Sequence, residues 1–135
     1  GAWNEELRVK DVTWLDPLAQ EMDEAQWGDG RAKCLGMLLD GRAQPSGIRR
    51  RGSDATVLLI FNAWHDAVNF RMPSCEGGCW TRLLDTAVVR QTELPEFESG
   101  SDYLATGRSA LVFIAGDGNG GARGLRDELR AALTD

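Results

Sequence analysis

The chain has 135 residues, of which 42% are apolar and 27% charged, a composition typical of one globular domain and unlike that of a disordered segment. Fifteen Lys and Arg stand against 21 Asp and Glu, and the formal charge of -6 argues against a protein that binds nucleic acid or an acidic membrane surface. No apolar run approaches the roughly 18 residues of a spanning helix, so no membrane partner is expected.

The three cysteines of the chain, Cys34, Cys75 and Cys79, are an odd number in a domain large enough to fold without disulfides. The N-terminal segment contains acidic residues and lacks the apolar core of a signal peptide. Together these features predict reduced cysteines and a cytoplasmic location.

Seven short runs, each ended by turn-forming residues, are predicted as strands. In chain order they are residues 11–15, 34–39, 55–61, 67–72, 79–84, 103–105 and 109–115. The run 55–61 is apolar apart from Thr56, which indicates a strand central to a sheet. In the run 67–72 apolar and polar residues alternate, which predicts one exposed face and one buried face that includes Phe70 and Met72.

The segments between the runs are predicted as loops, among them 42–53, rich in Gly, Pro, Ser and Arg, and the acidic segment 91–101. Only the tail departs from this pattern, because four of its apolar residues recur at helical spacing. They are Leu125, Leu129, Ala132 and Leu133. The expected fold class is therefore all-β: an antiparallel two-sheet β-sandwich with a short C-terminal helix.

The glycine-rich segment 116–121 satisfies the pattern G-x-G-x-x-G between a predicted strand and a predicted helix, a local context that suits phosphate binding. A dinucleotide fold also needs a second parallel strand and a later acidic residue, and too little sequence follows to supply them. Asp117 and Asn119 match the first positions of a calcium loop, but Gly121 offers no ligand at the fifth. No cofactor and no calcium ion are therefore expected.

His65 and the cysteines are further candidates for chemistry. Cys34, Cys75, Cys79 and His65 form a conceivable Cys3His set without the paired short spacings of structural zinc, so free cysteines or a Cys75–Cys79 link are favoured over a metal. His65 and Asp66 are neighbours, and neighbours on a strand point to opposite faces, so we expect them not to orient one another. No Gly-x-Ser-x-Gly elbow exists, and no catalytic residue is predicted.

Five tryptophans are many for this length, and an aromatic face stacks well on the apolar face of a sugar. Trp14 and Trp80 begin or lie in predicted strands and are expected in the core. Trp64 follows the end of a strand and is the tryptophan most expected to be exposed. Trp27 lies in the acidic segment 20–29.

Eight segments between Lys10 and Phe113 form an ordered set that carries a family resemblance. They are DVTWL (11–15), EM (21–22), Trp27, CLGMLLDG (34–41), LLIFNA (58–63), FRMP (70–73), WTRLLDT (80–86) and GRS (107–109). In order and spacing the set resembles the C-terminal domain of bacterial glycogen debranching enzymes, the isoamylase-type members of the α-amylase superfamily in glycoside hydrolase family 13.

The resemblance implies a Greek-key β-sandwich that follows a catalytic (β/α)8 barrel. Family members hydrolyse α-1,6 branch linkages of glycogen or limit dextrin with carboxyl groups on the barrel loops, and neither barrel nor loops lie in this chain. Residues 1–9 would then be a lead-in from the barrel or a cloning remnant, residues 10–115 the β-sandwich domain, and residues 116–135 the glycine-rich loop and tail helix.

Three functions are open at this point. The first is a non-catalytic accessory domain that stabilises the barrel of the same polypeptide. The second is a glucan-binding module, and the third is a small stand-alone hydrolase or metal protein. Trp27, Trp64 and His65 are the candidate contacts for α-glucan or the barrel. A docking face requires contiguous aliphatic side chains, whereas a glucan site requires coplanar exposed aromatic rings with polar neighbours.

Overall fold

A computed structural model describes residues 3–4, 9–10, 12–28, 33–40, 56–75, 77–90 and 94–116. Ten strands and one short helix lie within these ranges. They are β1 (Trp3–Asn4), β2 (Val9–Lys10), β3 (Val12–Leu15), α1 (Glu24–Trp27), β4 (Cys34–Asp40), β5 (Thr56–Asn62), β6 (Val68–Arg71), β7 (Cys79–Asp85), β8 (Glu96–Glu98), β9 (Asp102–Ala105) and β10 (Ser109–Ala115). All seven predicted runs form strands.

The larger sheet has six antiparallel strands in the order β3-β4-β5-β10-β7-β8, and β6 pairs with β9 in a second sheet. The chain passes from β5 to β6 and back to β7, then from β8 to β9 and back to β10. Strand β10 returns between β5 and β7, which is the crossed order of a Greek key. The predicted all-β sandwich is confirmed, and β5 is central as its apolar sequence indicated.

The core lies between the two sheets. The large sheet contributes Leu58, Ile60 and Phe113, and the small sheet contributes Phe70 and Tyr103, all of them buried. Alternation places these side chains on one face of each strand. In β6 the predicted alternation is confirmed, because Phe70 is buried while its neighbours Asn69 and Arg71 are exposed.

A glycine in β4 lets the sheets approach closely. A Cβ atom on Gly36 would lie 2.6 Å from Cζ of Phe70, so the absent side chain makes room for the aromatic ring. Glycine weakens an isolated strand, and here the ring covers the backbone that the glycine leaves bare.

Four elements were not predicted from the sequence: β1 and β2, which pair with one another, β8 and α1. Residues 96–98 were expected within a loop but form β8, because Phe97 packs edge-on against Tyr103 and Phe113 while the strand pairs with β7. The helix α1 begins at a capping box in which the Asp23 carboxylate accepts from the Gln26 N–H and the Gln26 side chain accepts from the Asp23 N–H. The predicted loop 42–53 and the predicted tail helix lie outside the described residues.

A buried polar cluster links the sheets. The Tyr103 hydroxyl of β9 donates to the Asp85 carboxylate of β7 at 2.7 Å and accepts from the Arg82 guanidinium at 2.9 Å. The Asp85 carboxylate also accepts from the Ala87 N–H at 2.9 Å. Because the members of the cluster satisfy one another, their charge and polarity are tolerated between the sheets.

This cluster predicts a loss of stability at alkaline pH. Burial, and then the hydrogen bond to Asp85, raise the pKa of Tyr103 from 10 to about 12, so the folded state holds the phenolic proton more tightly than the unfolded state. The raised pKa of Tyr103 therefore adds about 2–3 kcal/mol to the free energy of unfolding. This stabilisation is fully present below pH 10 and is lost as pH rises to about 12. Chemical unfolding at intervals across this range measures it.

The control for this prediction is Tyr103→Phe, which is expected to remove the fall between pH 10 and pH 12. Both proteins should carry Cys34→Ala, because burial also raises the pKa of Cys34, from 9 to about 11, and its titration overlaps. Equal falls in the two proteins would show that Tyr103 is not the responsible group.

Candidate functional site

The face of the large sheet turned away from the small sheet is apolar across three neighbouring strands, β4, β5 and β10. Cross-strand pairing arranges its side chains in three rows. The rows are Leu35–Phe61–Ala110, Met37–Leu59–Val112 and Leu39–Val57–Ile114. We call these nine residues the outer face. Phe61 is 39% exposed, Ile114 is buried, and the others are half-buried.

A small second cluster continues the outer face towards β7. Leu83 and Ile114 are buried there, with Leu94 and Val112 packed against them. The register between β10 and β7 shifts at Val112, which leaves Leu83 as an extra residue in β7. The outer face therefore consists of contiguous, mainly aliphatic side chains over the centre of the sheet, the property that distinguishes a docking face.

A second candidate surface is the bend between β5 and β6, which carries Trp64, His65 and Asp66. The indole and imidazole rings of Trp64 and His65 contact one another, with centroids 4.5 Å apart and planes inclined at 38°. Trp64 is 39% exposed, which confirms the prediction that this tryptophan lies at the surface. Two aromatic rings are thus presented to solvent at the end of the sheet.

The buried side chain of Asn62 holds this bend in place. Its carbonyl oxygen accepts from the Trp64 N–H at 3.0 Å, and its amide group donates to the carbonyls of Asp66 and Ala105, each at 3.0 Å. The facing turn between β9 and β10 also contacts the bend, since the Arg108 N–H donates to the Trp64 carbonyl at 2.9 Å. Arg108 makes this contact in a left-handed conformation, φ 54°, which costs a non-glycine residue roughly 1–2 kcal/mol.

Gly107 lies directly against the bend, which gives a prediction. A Cβ atom there would lie 2.2 Å from the His65 carbonyl oxygen and 2.6 Å from its carbon, so Gly107→Ala forces the backbones apart. We expect a loss of about 1–3 kcal/mol in the free energy of unfolding, measured by chemical denaturation.

Gly28→Ala is the matched control for Gly107→Ala. A Cβ atom at Gly28 meets its nearest neighbour at 3.6 Å, an ordinary contact, and the residue already has a right-handed helical conformation. A change of no more than about 0.5 kcal/mol is expected. Equal losses in the two variants would contradict the close approach at Gly107.

His65 and Asp66 contact one another, and the expectation that they would not was wrong. Nε2 of His65 lies 3.2 Å from Oδ2 of Asp66. Opposite faces are expected only on a strand, whereas the residues occupy a bend in which neighbouring side chains can turn to the same side. Both side chains are more than half exposed, so this pair belongs to the surface and contributes little to stability.

None of the three cysteines forms a disulfide. Cys34 is buried, whereas Cys75 and Cys79 are half-buried. The Cys75 thiol donates a hydrogen bond to the Cys79 carbonyl oxygen at 3.1 Å. In the described ranges no three His, Cys, Asp or Glu side chains are grouped as a metal ion requires.

The remaining tryptophans occupy different environments. Trp80 is fully buried, which confirms its predicted place in the core. Trp14 is half-buried and pairs with Met37 of the outer face, so its predicted place in the core was wrong. Trp27 ends α1, and its side chain lies outside the described part of the chain. The glycine-rich residues 117–121 lie outside it as well. No helix in the described ranges is long and apolar enough to span a membrane.

Comparisons with known proteins identify relatives over most of this fold. A family model described as "Isoamylase, C-terminal" matches residues 11–114. Proteins named "Glycogen operon protein GlgX homolog" from Mycobacterium bovis and Mycobacterium tuberculosis are 39% identical over 82 residues. This match covers 58% of the chain but only 11% of each relative, so the chain corresponds to a small part of proteins that are much longer.

Proposed function

The chain belongs to the isoamylase C-terminal family, and on that premise we propose that it is the non-catalytic C-terminal accessory domain of a glycogen debranching enzyme. The parent enzyme would hydrolyse α-1,6 branch linkages of glycogen or limit dextrin in the cytoplasm. The domain, residues 10–115, would stabilise the catalytic (β/α)8 barrel of the same polypeptide by docking against it.

Two findings support the debranching context. The matched mycobacterial relatives carry a name that refers to a glycogen operon. The match covers only 11% of their length, which leaves ample room in such proteins for a catalytic barrel. In such proteins the domain would have a large neighbour in its own chain to contact.

The outer face is the observation that carries the docking role. A sheet must bury an apolar face against another layer, and here the small sheet covers only one face of the large one. A continuous apolar surface on a domain marks an interaction site. Helices on the outside of a (β/α)8 barrel are suited to cover it, because helices pack readily on a sheet face.

The described residues give no support to a stand-alone hydrolase or metal protein. The His65–Asp66 pair lies on an exposed bend, where water competes for every hydrogen bond. Burial raises the pKa of Cys34, which makes its thiol a poor nucleophile. The activity is accordingly assigned to the barrel, and this chain contributes stability.

Phe61→Glu tests the docking proposal. In the 135-residue chain alone the charge falls on an already exposed position, and we expect a loss of less than about 1 kcal/mol. In the polypeptide that carries the chain after its barrel, the same charge would be buried without a partner. There we expect a loss of about 3 kcal/mol or more in the free energy of unfolding. It would be seen as a lower unfolding temperature and a faster loss of glycogen debranching on heating.

Leu104→Glu is the matched control, because Leu104 is an exposed leucine on β9, away from the outer face. It is expected to have a small effect in both proteins. The proposal is contradicted if Phe61→Glu is as harmless as Leu104→Glu in the longer polypeptide.

A further inference from the structure

We propose that the tail of the chain, residues 122–135, forms an amphipathic helix that covers the β7 side of the outer face. The helix would pack on the second cluster, which consists of Leu83, Leu94, Val112 and Ile114. This contact lies within the chain itself and goes beyond docking against the barrel. It leaves the part of the outer face on β4 and β5, which includes Phe61, for the barrel.

The outer face is most deeply buried on its β7 side. Phe61 on β5 is 39% exposed, whereas Ile114 on β10 is 8% exposed and Leu83 on β7 is 3% exposed. The small sheet packs on the opposite face of the large one, so it does not bury these side chains. Of the described residues, Leu94 packs over them, and small clusters outside the main core lie beneath connecting segments of the chain. The second cluster therefore calls for a cover close to the end of β10.

The chain leaves β10 on the outer side of the sheet. Thr81 is paired with Ile114, and cross-strand partners share a face, so the Thr81 side chain lies on the outer side. Its hydroxyl donates to the Gly116 carbonyl at 2.7 Å, and Thr81 is fully buried. Gly116 has a φ of 102°, a conformation open to glycine, which lets the backbone turn at the end of the strand. The residues that follow Gly116 therefore begin on the side of the second cluster.

The sequence of the tail suits an apolar surface. On a helix its four apolar residues fall on one side, whereas Asp127, Arg130 and Thr134 fall on the other. The four are Leu125, Leu129, Ala132 and Leu133. So short a helix is marginal in water by itself and gains its stability from the packing of its apolar side. The tail therefore needs an apolar surface, just as the second cluster needs a cover.

The lengths of the tail and of β10 also agree. A helix rises about 1.5 Å per residue, so Leu125 and Leu133 lie about 12 Å apart along it. A strand rises about 3.3 Å per residue, so Ile114 and Ala110 lie about 13 Å apart along β10. Residues 117–121 are a sufficient connection, because strand-to-helix connections commonly take about 2–6 residues. A helix antiparallel to β10 can thus keep its apolar side on β10 and β7 over this whole length.

Methyl NMR of the 135-residue chain tests the proposal. We expect nuclear Overhauser effects, which arise only between protons in close proximity, from the methyl groups of Leu125 and Leu129 to those of Leu83 and Ile114. Leu129→Glu places a charge on the apolar side of the helix and is expected to remove them. Amide hydrogen exchange in residues 126–133 should be at least about tenfold faster in that variant than in the unaltered chain.

Ala131→Glu is the matched control, because it introduces the same charge on the polar side of the helix. The nuclear Overhauser effects and the slow amide exchange are both expected to persist in it. In both variants the amide shift of Phe70, which lies in the core between the sheets, should be unchanged. An unchanged shift shows that the sandwich itself remains folded, so any loss belongs to the tail.

Three results would overturn the placement of the tail. The first is an absence of nuclear Overhauser effects between the tail and the second cluster, and the second is equal amide exchange in the unaltered chain and Leu129→Glu. The third is protection that rises with chain concentration, which would identify a second copy as the cover. Phe61→Glu lies outside the second cluster and is expected to leave the tail contacts intact, so a failed tail contact and a failed barrel docking are distinguished.

Discussion

Trp80→Ala is expected to lower the free energy of unfolding by about 3–5 kcal/mol, a large fraction of the roughly 5–15 kcal/mol that stabilises an ordinary domain. Trp80 is fully buried and belongs to the core between the sheets. Its indole N–H donates to the Pro73 carbonyl at 2.8 Å, so the substitution creates a cavity and also leaves a buried acceptor without its donor. Chemical denaturation followed by circular dichroism measures the loss.

Two variants separate the contributions at Trp80. Trp80→Phe keeps most of the volume but removes the N–H donor, and we expect it to cost about 1–3 kcal/mol. Trp64→Ala removes a partly exposed indole instead, and it is expected to cost less than about 1 kcal/mol. Similar losses for Trp80→Ala and Trp64→Ala would show that Trp80 is not buried between the sheets.

Asp85→Ala is expected to cost about 3–5 kcal/mol, because it removes one partner of a buried polar cluster and leaves the others unsatisfied. Asp85 is buried and accepts hydrogen bonds from the Tyr103 hydroxyl and the Ala87 N–H, and its carboxylate lies 3.8 Å from the Arg82 guanidinium. Without it, a phenol and a guanidinium are left between the sheets without their acceptor. Equilibrium unfolding at neutral pH is the appropriate measurement.

Coupling between Asp85 and Tyr103 provides the control. Tyr103→Phe removes only the hydroxyl and is expected to cost about 1–2 kcal/mol. The double variant Asp85→Ala with Tyr103→Phe should lose less free energy of unfolding than the sum of the two single losses, because no unpaired hydroxyl remains. Strictly additive losses would mean that the hydrogen bond between the two residues does not contribute to stability.

The strands of this fold are predictable from the sequence because their signals are local. The run from Thr56 to Phe61 is apolar at every position after the first, and the structure places it at the centre of the large sheet. Turn residues such as Asp16 and Pro17 end strands where expected, with the Asp16 carboxylate accepting from the Leu18 N–H in the turn.

The elements that were not predicted include one that depends on distant contacts, β8, and one that depends on a local cap, α1. Glu96–Glu98 is acidic and has no strand signature of its own, and it pairs because β7 offers an open edge while Phe97 reaches the core. The short helix at Glu24–Trp27 depends on capping by Asp23, a signal present in the sequence as an Asp followed three residues later by Gln. Long-range packing outweighs local preference in the first case, and a capping pattern alone marks the helix in the second.

The candidate surfaces were predictable to different degrees. Exposure of Trp64 followed from its place after a strand, whereas its pairing with His65 and Asp66 depends on a bend held by Asn62 and Gly107. The outer face was not identified from the sequence, although a signal existed. Strands β4 and β5 are apolar at both odd and even positions, which indicates that both faces of the sheet are to be covered.

Thiol labelling of a Phe61→Cys variant tests the central claim most directly. In the 135-residue chain the new cysteine is expected to react nearly as fast as one introduced by Val89→Cys, with peptide mapping to separate the label from the native thiols. In the polypeptide that carries the chain after its barrel, we expect Phe61→Cys to be protected at least about tenfold while Val89→Cys stays reactive. Equal reactivity of Phe61→Cys in both proteins would show that the outer face is not the surface that docks against the barrel.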